Sequence, residues 1–199
     1  QETILKEFSL TPQKPNLRKE FCEGTPLDIK SKYIVLTTKV RYLNKTHYKE
    51  IYNDFWQTIN ALSNKYKIII MGERSVEYGP EYAEHGRDII YSIYDDVIKN
   101  INSNNLIDLS IKSLGHTSSP NLEKIKQDSL IMSQAEFVIT LGVGGNLVLA
   151  IATSKVIGHR SDKLEITNEI CDRQFHEDIF ITLDFDKFNH KLKEYLKSE

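Results

Sequence analysis

The chain has 199 residues, with 26 Lys and Arg against 28 Asp and Glu for a formal charge of -2; 40% of its side chains are hydrophobic and 27% charged. This length and composition fit one domain with a real core and exclude an intrinsically disordered chain. The near-balance of charge argues against duplex DNA or an anionic membrane as the main partner, so no nucleic acid partner is expected.

Residues 1–31 show little alternation. Pro12, Pro15 and Pro26 punctuate a mostly polar stretch in which Phe8, Leu10, Leu17 and Phe21 are scattered anchors. An irregular N-terminal arm or linker is expected here, packed on the surface. The chain opens at Gln1 rather than Met, as after processing or in an excerpt, and a preceding domain would attach at this arm.

The texture changes at Tyr33. Tyr33-Ile34-Val35-Leu36 is a continuous β-branched run, as in a strand buried on both faces. Tyr48, Ile51, Tyr52, Phe55, Trp56, Ile59 and Leu62 then recur at three- and four-residue steps, which predicts one helical face ending near Asn64. Residues 67–71 form a second strand, stopping at Gly72. A helix over residues 93–101 and a strand over 106–109 follow. A further helix is predicted over 122–135, begun at Ser118 or Ser119 before Pro120.

Residues 137–141 are the clearest strand, followed by a glycine-rich turn, a short apolar helix over 146–152 and a strand over 156–158. A last strand at 179–181 and an amphipathic helix over 183–196 complete the chain. Short strands alternating with helices build βαβ units. The predicted fold is therefore α/β: a Rossmann-like three-layer domain over residues 32–199 with a mainly parallel sheet, preceded by the arm at 1–31.

Cys22 and Cys171 are too few and too distant for a disulfide scaffold or a four-ligand zinc site, and they read as reduced thiols. The histidines show no His-x-x-x-His spacing, so no metal and no resident cofactor are expected. The longest apolar run, residues 135–152, is broken by Glu136, Thr140, Asn146 and glycines and is too interrupted to span a bilayer. No charged-then-apolar leader opens the chain. The expected location is the cytoplasm.

The informative segment is the turn Gly142-Val143-Gly144-Gly145-Asn146 between a buried strand and a helix. Glycine lets another group approach the backbone closely, and the first turn of a helix offers unpaired N–H groups and partial positive charge. Such a turn suits a phosphate or another anion. The plain alternative is a bare strand-to-helix connection. No Lys-Ser or Lys-Thr pair follows the last glycine, so the turn is not a P-loop, and it follows a late strand rather than the first, unlike the dinucleotide fingerprint.

Two other strand ends are polar. Thr37 and Thr38 lead into a loop with Lys39, Arg41 and Lys45, whose hydroxyls and cations suit phosphate oxygens. Gly72, Glu73 and Arg74 end the second strand, with a carboxylate for a sugar hydroxyl and a guanidinium for phosphate. The plain alternatives are a solvated loop and a surface ion pair. All three strand ends would lie along the carboxyl edge of a parallel sheet, around one crevice. His159-Arg160-Ser161-Asp162 would face the same edge, as an exposed polar loop or as a contact to base or sugar. Tyr78 and Tyr82 flank a turn that could stack on a base or pack on the domain surface.

These segments resemble the donor-binding, C-terminal half of GT-B type glycosyltransferases, most like the heptosyltransferase group of glycosyltransferase family 9. The resemblance runs over roughly residues 33–160. The Thr/Ser pair and lysine after the first strand of that half match Thr37, Thr38 and Lys45. Its glycine-acid element matches Gly72 and Glu73, and its helix-then-strand phrase matches Gln134 to Thr140. Its Asp-Ser-Gly-Pro turn, which binds the donor diphosphate, falls on Gly142-Val143-Gly144-Gly145, so three of the four side chains differ and only backbone binding carries over. The histidine usual after the turn is replaced by Leu147 or Val148.

The resemblance implies a nucleotide-sugar donor held by Thr37, Thr38, Lys45, Glu73, Gly142, Gly144 and Gly145, to which the guanidinium of Arg74 and the helix start at Asn146 add charge and an amide. It also implies an N-terminal acceptor domain, absent from this sequence, that supplies the catalytic base. Catalytic residues within this chain are not assigned. Two alternatives stand beside it: a nucleotide- or sugar-phosphate-binding module without turnover, and a different Rossmann-like enzyme using a nucleoside or NAD.

Overall fold

A computed structural model describes residues 22, 24–38, 45–76, 101, 103–113, 122–141, 145–159 and 177–197. Its elements are β1 (Tyr33–Thr38), α1 (Lys45–Leu62), β2 (Lys67–Val76), a 3-10 turn at Ser103–Asn105, β3 (Leu106–Asp108) and β4 (Ile111–Ser113). They continue with α2 (Leu122–Ser133), β5 (Val138–Leu141), α3 (Gly145–Thr153), β6 (Val156–His159), β7 (Ile179–Thr182) and α4 (Phe185–Lys197).

The main sheet runs β3-β2-β1-β5-β6-β7, with β4 paired to the far end of β2, and every pairing is parallel. The continuous apolar runs follow from this placement, because both faces of each central strand are covered. Alternate residues enter two cores. Ile34, Leu36, Ile68, Ile70, Phe137, Ile139 and Ile157 meet Phe55, Ile59 and Leu62 of α1 and Phe188 and Leu192 of α4. On the other face Tyr33, Val35, Ile69, Met71, Val138 and Val156 meet Ile131 and Met132 of α2 and Ala150 of α3. The result is the α/β, Rossmann-like three-layer arrangement.

Chain direction explains which helix lies on which face. The step from β1 to β2 moves outward one way, and the step from β5 to β6 moves the other way. Right-handed crossovers in opposite directions must pass over opposite faces, which separates α1 from α3. The return from β3 and β4 to β5 travels in the same direction as β5 to β6, so α2 shares the face of α3.

Polar contacts fix the seams. Asn189, buried on α4, accepts from the Thr58 hydroxyl at 2.8 Å and donates to Asp54 Oδ2 at 3.1 Å, which Lys193 Nζ also reaches at 3.0 Å. Lys65 Nζ donates to the Leu196 carbonyl at 2.7 Å and so caps the last turn of α4. At its other end Asp184 Oδ1 accepts the amides of Asp186 (2.9 Å) and Lys187 (3.1 Å). That N-cap starts α4 at Phe185, two residues after the start that apolar periodicity predicts.

Other parts of the sheet and helices also differ from the sequence-based expectation. β2 does not stop at Gly72; the glycine takes φ 102° and the strand continues to Val76 alongside β4. β4 was not predicted, since three residues without an apolar run carry no pattern. α2 ends at Ser133 rather than 135, and the Glu136 amide then bonds the Tyr33 carbonyl at 3.0 Å to enter the sheet. The predicted helix over 93–101 lies outside the described residues except for buried Ile101, and so does the predicted start of the 122–135 helix at Ser118 or Ser119.

Before β1, Leu27 and Ile29 pack against the α2–α3 core. The side-chain amide of Gln127 on α2 brackets the Thr25 backbone, accepting from its N–H at 2.9 Å and donating to its carbonyl at 2.8 Å. Tyr33 donates its hydroxyl to the Ile131 carbonyl at 2.8 Å, and burial pushes its pKa up to about 12. Burial likewise raises the Asp128 carboxyl on α2, partly offset by Lys124 Nζ at 2.9 Å.

Candidate functional site

The strand order reverses between β1 and β5, whose outgoing connections turn to opposite faces of the sheet. Diverging connections leave a crevice above the carboxyl ends of these two strands, which is where open α/β sheets bind ligands. Register sets the floor of that crevice. Thr38 lies opposite Gly72 on one side and Leu141 on the other, Leu141 opposite His159, and His159 opposite Thr182. Gly72 within β2 and the carboxyl ends of β1, β5, β6 and β7 therefore form one row.

The candidate residues distribute along this row as follows. Thr37 is buried in β1, 3% exposed, and sits opposite Thr140 of β5. Thr38 is the last residue of β1 and Lys45 the first of α1. Glu73 and Arg74 lie in the extension of β2 beyond the row, where Glu73 pairs in register with Ile111 of β4. Gly145 and Asn146 are the first two residues of α3. Gly142 and Gly144 lie outside the described residues, as do Arg160, Ser161, Asp162, Tyr78 and Tyr82.

α3 starts four residues after the end of β5, next to the point where the order reverses. Amides in the first turn of a helix have no intrahelical acceptor, and the aligned peptide dipoles place partial positive charge there. That chemistry accepts an anion and needs no side chain.

One level below the row, Thr140 is 2% exposed and its Oγ1 has no hydrogen-bond partner. Its neighbour in register on β6 is Gly158. A Cβ at Gly158 would lie 2.7 Å from Thr140 Oγ1 and 3.3 Å from Ile181 Cγ1. The absent side chain at 158 is therefore what lets Thr140 fit between β5 and its neighbour.

His159 is not part of an exposed polar loop. It is 7% exposed, its ring 5.3 Å from Phe185 and 5.6 Å from Phe188, with Nε2 3.2 Å from the Leu183 carbonyl. β6 runs one residue further than its apolar pattern predicts, so alternation carries His159 to the face of Ile157 and onto α4. Neither this burial nor the Thr140–Gly158 contact has a local sequence signal.

Among the described residues no cluster of three or more His, Cys, Asp or Glu could hold a metal ion. No described helix is long and apolar enough to cross a membrane.

No protein-family model matches the chain, and no curated protein matches it. Solved structures do match. One is a dodecameric iron-containing heptosyltransferase, TibC, in complex with ADP-D-β-D-heptose, similar at 17% identity and a TM-score of 0.39. The match covers 76% of this chain and 32% of that one, so this chain spans about a third of its length.

Proposed function

We propose that this chain binds a nucleotide-sugar donor at the crevice between β1 and β5 and is the donor half of a two-domain glycosyltransferase. The observation that carries the reading is the position of the glycine turn: it joins β5 to α3 beside the reversal of strand order. The Thr37-Thr38 end of β1 is the neighbouring strand end, and the glycine–acid segment of β2, which runs on to Val76, comes next.

In this reading the backbone of Gly142, Gly144 and Gly145 and the amide of Asn146 hold the donor diphosphate. Thr38 adds a hydroxyl, Lys45 and Arg74 add positive charge, and Glu73 accepts a sugar hydroxyl. Thr37, buried one row below, supports the strand end rather than touching the ligand. Cleavage of the donor's glycosidic bond develops charge on the departing diphosphate, and fixed N–H dipoles with nearby cations stabilise that charge. A preceding acceptor domain, joined through the arm at 1–31, supplies the catalytic base to the unit at 32–199. Action in the cytoplasm belongs to the same proposal.

A second reading, a nicotinamide enzyme, is favoured by the strand order, in which two halves run outward from a central pair as in dinucleotide-binding sheets. The connection after β1 weighs against it. No glycine stands between Thr38 and Lys45, where the dinucleotide fingerprint belongs.

Thermal unfolding with UDP-, GDP-, ADP- and CMP-sugars and with NAD tests both. A ligand at a hundred times its Kd stabilises the native state by about 2.7 kcal/mol. A nucleotide sugar should raise the melting temperature, and Gly144→Val should abolish the rise while leaving the unliganded melting temperature unchanged. A response to NAD alone would support the second reading. A Gly144→Val variant that responds like the parent would remove the turn from the site.

A further inference from the structure

We draw no further inference here: the strongest candidate, the apolar surface patch that Leu122 and Ile125 of α2 and Val148 of α3 expose on one face of the sheet, is an unpartnered helix face, and nothing in the structure shows what covers it.

Discussion

Replacing Gly158 by alanine tests whether the floor of the crevice is built as described. Gly158 is not a positive-φ glycine, so its backbone accepts an L residue and only space opposes the change. The added Cβ would stand 2.7 Å from Thr140 Oγ1 and 3.3 Å from Ile181 Cγ1. Thr140 is β-branched, stiff at χ1 and 2% exposed, so its hydroxyl does not swing away freely. Overpacking of this kind costs about 1–3 kcal/mol, against which the reduced freedom of the unfolded chain returns about 0.4–1 kcal/mol. The net expectation is a loss of roughly 1–2 kcal/mol, or ~0.5–1 M in the urea midpoint with the slope unchanged. The decisive comparison is the double-mutant cycle with Thr140→Ala. Removing Oγ1 leaves only the Ile181 contact, which needs a few tenths of an ångström, so Gly158→Ala should become nearly neutral in that background. The coupling should then be about 1–2 kcal/mol. Equal cost in both backgrounds, or no cost in either, would refute the steric account of this pair.

Other outcomes follow from the same contacts. Thr140→Val removes a buried hydroxyl that has no partner, an arrangement that costs about 1–3 kcal/mol. The valine variant should unfold at a higher urea concentration than the parent, and a lower midpoint would show the hydroxyl to be engaged. Tyr33→Phe deletes the bond to the Ile131 carbonyl and should cost about 0.5–1.5 kcal/mol at neutral pH. The parent holds the Tyr33 proton up to about 12, above the ordinary 10.0 at which the unfolded chain releases it. Its stability from this group is therefore complete below pH 10 and declines as pH rises through about 12. Stability curves of parent and variant should converge in that window, and parallel curves would contradict the shift. Asn189→Ala leaves Thr58 without its partner on α4 and should cost about 1–3 kcal/mol in the same unfolding assay. An unchanged midpoint would mean that the Asn189 bonds add nothing to the α1–α4 seam.

The sequence by itself determined the local elements. β1, β2, β5, β6 and β7 were legible because each carries a short apolar run that only a strand covered on both faces can bury. α1 and α4 were legible because their apolar residues recur on one face. The three polar strand ends could also be singled out, since hydroxyls, glycines and charges directly after buried strands break the apolar pattern.

Long-range pairing decided the rest. Whether β5 lies beside β1, and hence whether the glycine turn and the Thr37-Thr38 end share one crevice, depends on residues about a hundred positions apart. No periodicity encodes that choice. The same holds for His159, whose polar neighbours in sequence suggest exposure while register places it against Phe185 and Phe188. It holds too for Gly158, a glycine without a positive φ whose reason is Thr140 on the adjacent strand. Local pattern reports how a residue meets water; the sheet decides which other residue it meets.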